Sequence, residues 1–251
     1  MLHKQITKWI KDYAKHNKIK TLVVGVSGGI DSAVVSTLCA RTDMPTIVLS
    51  LPIKQNKKLH SLSLKHCEWL VSNYDNVKHL NIDLTCAFKA FEKKLTSIGS
   101  DNILAFANSR SRLRMMTLYQ VAQSNNGIVV GTGNKVEDFG VGFFTKYGDG
   151  GVDISPIADL MKTEVWQLGR ELDILQDIID APPTDGLWDD SRTDQDQLGM
   201  TYGDLEIAMV QDELGYPVQN PQDKKNLKKY REIRARNLHK MLPIPVFKKP
   251  E

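Results

Sequence analysis

Ser27, Gly28 and Gly29, followed at once by Asp31 and Ser32, sit inside the stretch TLVVGVSGGIDSAVVSTL. A glycine turn between a strand and a helix brings backbone N–H groups and the positive end of a helix dipole up to an anion. Ser27 and Ser32 add hydroxyl donors, and the whole suits a pyrophosphate. A phosphate-binding loop usually carries a lysine after its last glycine, and here Asp31 stands close behind instead. A bare carboxylate repels phosphate. A magnesium ion held between carboxylate and phosphate oxygens turns that repulsion into a bridge. The alternative is a plain strand-to-helix turn in which Asp31 only favours the helix start.

The elements that must position these residues follow from the periodicity. Short apolar runs at 21–26, 46–51, 77–82 and 127–132 read as strands. Helical patterns lie at the N-terminus, from Ile30 to about Arg41, over KLHSLSLKHCEWLVSNY, CAFKAFEKKL and 103–124, and near 162–175, 203–214 and 223–240. Apolar strands separated by helices predict one α/β domain over residues 1–251, a parallel sheet with helices on both faces. Two polar or glycine-rich stretches, 139–153 and 181–202, read as long loops.

With 251 residues, 41% hydrophobic and 25% charged, the composition is that of a globular protein. A net charge of +3 does not point to nucleic acid, and no apolar run reaches membrane-spanning length. Cys39, Cys67 and Cys86 are widely spaced and form no zinc or disulfide pattern, which suggests the cytoplasm.

The S-G-G-x-D-S signature resembles the ATP pyrophosphatases, which cleave ATP between its α- and β-phosphates and adenylate a substrate oxygen. The segment GTGNKVEDFGVGFFTKYGDGGVDISPIADLMKTEVWQLGREL (131–172) resembles, more specifically, the ammonia-dependent NAD synthetases. NSRSRLRMMTLY (108–119), APPTDGLW (181–188), DQLGMTYGDLE (196–206) and His239-Lys240 continue that similarity in the same order. The resemblance implies a Rossmann-like, doubly wound parallel sheet of the adenine nucleotide alpha-hydrolase type. It also implies amidation of deamido-NAD by ammonia, with ATP as co-substrate and Mg2+ as cofactor, through an NAD-adenylate.

Residue by residue, the resemblance implies that Gly25, Val26, Ser27, Gly28, Gly29, Ile30, Asp31, Ser32, Thr132, Lys162 and Thr184 contact ATP. Asp31 and Glu137 become the metal ligands, converging from two strand ends. A solvated glutamate in a polar loop is the bland alternative for Glu137. Arg112, Lys146, Asp153, His239 and Lys240 are implied as contacts to deamido-NAD, while Arg110 and Arg114 stay open. The basic run ending in His239-Lys240 also reads as a solvated helix face.

Lys162 would stabilise charge on the leaving pyrophosphate. Asp149, in KYGDGG, is the candidate that takes the proton from ammonium; the same residues also read as an Asp-Gly turn. Two positions depart from the family pattern: Ser50 stands where an arginine commonly precedes Leu-Pro, and Gly133 replaces an aspartate. A glutamine-using domain has no room before the first strand, so free ammonia is the expected donor. A homodimer with the deamido-NAD site at the subunit interface is implied, with Leu104, Phe106, Leu113, Met116 and Leu118 beside Arg112 on helix 103–124; the alternative is that these apolar residues only cover the sheet. Other ATP pyrophosphatases and a non-catalytic nucleotide sensor are the rival readings. Of the first class, the tRNA-modifying enzymes often add cysteine pairs or RNA-binding domains, and the second class does not need two metal carboxylates with a lysine-bearing loop.

Overall fold

Four short parallel strands make the middle layer of the computed structural model among its described residues, which are 1–55, 57–184, 193–215 and 217–250. They are β1 (Thr21–Gly25), β2 (Thr46–Ser50), β3 (Val77–Asn81) and β4 (Gly127–Val129), in the order β3-β2-β1-β4. The chain winds outward from β1 through β2 to β3 and then returns to the other side of β1. The switch point therefore lies between β1 and β4, and a crevice opens beyond their carboxyl ends.

Side chains alternate across a strand, so β1 feeds two cores. Leu22 and Val24 pack under α1 (Leu2–His16), α2 (Ile30–Ala40) and α6 (Lys162–Glu171) through Ile10, Ala33, Val34, Val165 and Leu168. Val23 faces the opposite way with Ile47, Leu49 and Val129, under Met115, Leu118 and Ala122 of α5 (Ile103–Ser124). α3 (Lys57–Asn73) covers Val48 and Val77 with Cys67 and Leu70, and α4 (Thr85–Thr96) meets α5 through a Phe88–Phe106 edge contact. The fold is thus the Rossmann-like, doubly wound α/β arrangement expected.

A separate cluster is built after β4. A π-helix, Lys135–Val141, packs Val136 and Val141 against α8 (Asp194–Leu198), α9 (Tyr202–Leu214) and α10 (Pro221–Met241), around Leu198, Tyr202, Leu205, Leu227 and Tyr230.

The boundaries depart from expectation in four places. β4 stops at Val129 rather than 132, because Val130 bridges to Ile154 and Gly131 donates its N–H to the Ile154 carbonyl. The predicted loop 139–153 begins inside the π-helix. The helix expected to 175 ends at Glu171. Asp173 adopts φ 57°, and a short α7 (Gln176–Ile179) follows. Of the predicted loop 181–202, residues 194–198 are helical and 185–192 lie outside the described residues.

Candidate active site

The cradle after β1 forms as its composition requires. Gly28 has φ 96°, a conformation that favours glycine. α2 has Gly29 as its N-cap and no side-chain cap, so its first N–H groups stay available to an anion. The loop is tied to itself: Ser32 Oγ accepts from the Ser27 N–H (3.1 Å) and donates to the Gly29 carbonyl (2.9 Å).

Asp31 and Glu137 do converge. Lys162 Nζ, on the first turn of α6, lies 2.5 Å from Asp31 Oδ2 and 2.9 Å from Glu137 Oε1. A lysine at a helix N-terminus opposes the dipole, and only 2% of its side chain is exposed. Lys162 is therefore no solvated helix-start lysine. Burial alone would strip its proton, but the two carboxylates raise it well above the usual lysine range.

Asn134 joins the two halves. Its Nδ2 donates to Asp31 Oδ1 (2.9 Å), while its Oδ1 caps the π-helix by accepting from the Val136 and Glu137 N–H groups (3.1 and 3.0 Å). At the far end Arg234 and Asn237 of α10 donate to the Gly140 and Val141 carbonyls (2.7 and 2.9 Å). The winding that carries Glu137 is thus held at both ends, and π-turns are frequent at functional sites.

Tyr202 closes the cluster from α9. Its hydroxyl lies 2.5 Å from Glu137 Oε1 and 3.1 Å from Asp194 Oδ2, and Lys162 Nζ sits 5.0 Å from its ring centroid. Burial would raise Glu137, but Lys162 and the Tyr202 hydroxyl hold it below the usual carboxylate range. Burial, followed by Glu137 and Asp194, raises the phenol, so Tyr202 keeps its proton.

Among the described residues no group of three or more His, Cys, Asp or Glu is placed to hold a metal. Two carboxylates suit magnesium, which keeps several waters and takes other ligands from phosphate. The lysine ammonium already occupies a cation's position between them.

Thr132, Thr184 and Asp149 line the same cleft. Asp149 Oδ1 accepts from Ser111 Oγ (2.6 Å) and the Thr145 N–H (3.0 Å), yet burial still raises its carboxyl. The remaining candidates are not in the cleft lining. Arg112, Lys146, His239 and Lys240 gather at a rim: Arg112 Nε donates to the Lys146 carbonyl, Lys146 Nζ to the His239 carbonyl and Lys240 Nζ to the Phe144 carbonyl. Asp153 braces β4, accepting from the Val129 N–H (2.8 Å) and the Tyr119 hydroxyl (3.1 Å).

Both departures acquire a local reason. Ser50 is buried against Ser63 and His79 (2.8 and 3.1 Å). An arginine does reach that segment, but from α5: Arg114 donates to the Leu51 carbonyl (3.0 Å) and to Gln55 (2.7 Å). A Cβ on Gly133 would fall 1.8 Å from Asp138 Oδ2, so Asp138 fills the space that a side chain at 133 would take. Burial, then Glu137, Asp149 and Asp31, push the Asp138 carboxyl well above its usual range.

Sequence reasoning missed Asn134, Tyr202, Asp194 and Asp138. Asn134 and Asp138 lie within the quoted glycine-rich segment and Tyr202 within TYGDLE. Asn134 reaches Asp31 across 103 positions and Tyr202 reaches Glu137 across 65, contacts of which spacing alone gave no signal.

Residues 2–250 match the family model described as NAD synthase. The chain is 37% identical over 208 residues to the NH(3)-dependent NAD(+) synthetase of Mesoplasma florum, covering 82% of each. It is similar in structure to the NMN synthetase from Francisella tularensis, at TM-score 0.85 and 34% identity over 98% of this chain and 96% of that one. The NH3-dependent NAD synthetase from Campylobacter jejuni shares the fold at TM-score 0.79 and 24% identity over 98% of each chain.

Proposed function

Because the chain belongs to the NAD synthase family, we propose that its cleft divides the work of the family reaction among the residues placed there. It is an enzyme that makes NAD by ammonia-dependent amidation, the last step of NAD biosynthesis, with ATP as a substrate. The observation that carries the residue assignment is the Asp31–Lys162–Glu137 cluster at the switch point.

The glycine turn and the α2 N-terminus hold the triphosphate. Asp31 and Glu137 hold Mg2+, which when bound neutralises charge on the phosphates. Lys162 leaves the two carboxylates for the phosphates and stabilises the departing pyrophosphate. Thr132 and Thr184 contact ATP from the cleft wall, and Arg112, Lys146, Asp153, His239 and Lys240 hold deamido-NAD.

The acceptor's nicotinate carboxylate oxygen attacks the α-phosphorus, and the bond to pyrophosphate breaks. Ammonia then attacks the activated carbonyl, and AMP leaves. A free carboxylate would have to expel oxide, and adenylation replaces that with a phosphate leaving group. Asp149 takes the proton that nitrogen loses, a role its raised carboxyl suits.

The purified protein should turn over ATP, deamido-NAD and ammonium to equal amounts of AMP, pyrophosphate and NAD. Absence of NAD under saturating substrates rejects the acceptor. A second acceptor, nicotinate mononucleotide, is favoured by the near-complete overlap with the NMN synthetase structure. Comparing kcat/KM for the two acceptors separates them.

A homodimer of single-domain chains, working in the cytoplasm, completes the proposal. α5 exposes Leu104 and Met116 beside exposed Arg112, whereas Leu118 is spent on the sheet. No described helix is long and apolar enough to cross a membrane. Met116→Glu should give inactive monomers that still bind ATP; a fully active monomer in sedimentation rejects the shared site.

A further inference from the structure

Each carboxylate at the centre of the cleft has two kinds of donor. Both take a hydrogen bond from the charged Lys162. Each also takes one from a neutral group: Asp31 Oδ1 from the Asn134 amide at 2.9 Å, and Glu137 Oε1 from the Tyr202 phenol at 2.5 Å, with the Asn134 side chain a further partner of Glu137. The charged donor occupies a cation's position, so it must leave when a divalent cation enters. The neutral donors carry no charge to compete with that cation and can stay.

Tyr202 differs from Asn134 in touching both partners of that exchange. Its hydroxyl is on Glu137 and its ring lies under Lys162 Nζ, 5.0 Å from the centroid. Lys162 and Tyr202 both donate to Oε1, so neither engages Oε2. The ring is fixed in turn. Tyr202 is fully buried, its oxygen lies 3.1 Å from Asp194 Oδ2, and Trp166 meets it edge-on at 5.9 Å and 86°. Tyr202 also begins α9, capped by Thr201, whose side chain accepts from the Asp204 N–H.

We propose that Tyr202 is a positioning residue for the divalent cation: its hydroxyl keeps Glu137 oriented, with Oε2 available, while Lys162 passes from the carboxylates to the nucleotide phosphates. The proposal rests on reading Asp31 and Glu137 as cation ligands. Replacing a group that orients a metal-binding carboxylate commonly costs about 10- to 100-fold in metal affinity or activity.

The test is Mn2+ binding, read by electron paramagnetic resonance in the presence of a non-hydrolysable ATP analogue, on the full chain. Tyr202→Phe keeps the ring and removes the hydroxyl. It should weaken Mn2+ binding about 10-fold or more and leave affinity for the metal-free analogue unchanged. Glu137→Gln runs alongside. If Glu137→Gln leaves Mn2+ binding intact, the ligand reading fails and the proposal with it. If Glu137→Gln abolishes binding and Tyr202→Phe does not, the proposal alone is overturned. A lower melting temperature with unchanged Mn2+ affinity marks a merely structural tyrosine and overturns it too.

Should Tyr202→Phe not fold, the wild-type protein answers instead. With 5-fluorotryptophan incorporated, and the Trp166 signal assigned by Trp166→Phe, Mg2+ with the analogue should shift that signal as Lys162 leaves the adjoining ring. A signal that does not move overturns the proposal.

Discussion

Lys162 Nζ and Asp31 Oδ2 stand 2.5 Å apart although 131 positions separate them in the chain. Lys162 is buried and Asp31 partly so, with Glu137 the lysine's second acceptor at 2.9 Å. Removing one partner of a buried ion pair leaves an uncompensated charge and costs about 3–5 kcal/mol. Lys162→Met should therefore melt well below wild type. Mg2+ without nucleotide should then raise the variant's melting temperature more than the wild type's, because the cation site is no longer filled by an ammonium. Equal responses in a thermal-shift titration would contradict this account.

Gly133 and Asp138 cannot both carry a side chain in this arrangement, since a Cβ at 133 would be 1.8 Å from Asp138 Oδ2. Gly133→Ala should lower both activity and melting temperature. Adding Asp138→Ala should recover much of the loss, with a coupling energy of about 1–3 kcal/mol in the four-corner comparison. Additive losses would show that the two positions are independent.

Asp149 is held by Ser111 Oγ and the Thr145 N–H, with burial raising its carboxyl. Asp149→Asn should slow amidation more than adenylation, because ammonia enters second. Rapid quench should find the adenylate accumulating and pyrophosphate released ahead of NAD. Equal slowing of both halves, with no intermediate, assigns Asp149 to the turn alone.

His66 is fully buried on α3, bonded to Ser36 Oγ at 3.0 Å and stacked on Trp69, and its Nδ1 has no hydrogen-bond partner among the described residues. Burial lowers it from 6.5 to about 4, against a raising effect of the Ala33 carbonyl. Between those values the unfolded chain binds the extra proton, so stability rises with pH across the window. This contribution is fully present above 6.5 and lost as pH falls toward about 4. Melting curves of His66→Gln should be flatter than wild type over that range. Parallel profiles would remove His66 as the cause.

β1, β2 and β3 were legible nearly to the residue, because short apolar runs between helices have few other readings, whereas β4 was read three residues too long. Asp31 and Glu137 were legible as a pair, since each follows a strand that ends at the same crevice. The π-helix was not: Asn134 caps one end locally, but the other end is held by α10, 96 positions away along the chain. Leu118 read as an interface residue, but it fills the space over β1, where its Cδ1 lies 3.3 Å from a Cβ built on Gly25. Lys162 was legible as a candidate cation, but its burial between two acids was invisible until α6 was docked on α2.

The long reach of the central contacts sets an order of assembly. Asn134 meets Asp31 across 103 positions, Lys162 meets Asp31 across 131, and Tyr202 meets Glu137 across 65. Closing such loops costs chain entropy before any contact repays it, and non-local contacts slow folding. Helices such as α1 and α5 can form from local contacts early, whereas the cleft exists only after the sheet has closed and α6 and α9 have docked. During refolding from denaturant, regained turnover should thus trail the regained helical signal, and the last part of the molecule to become native is the part that performs the chemistry.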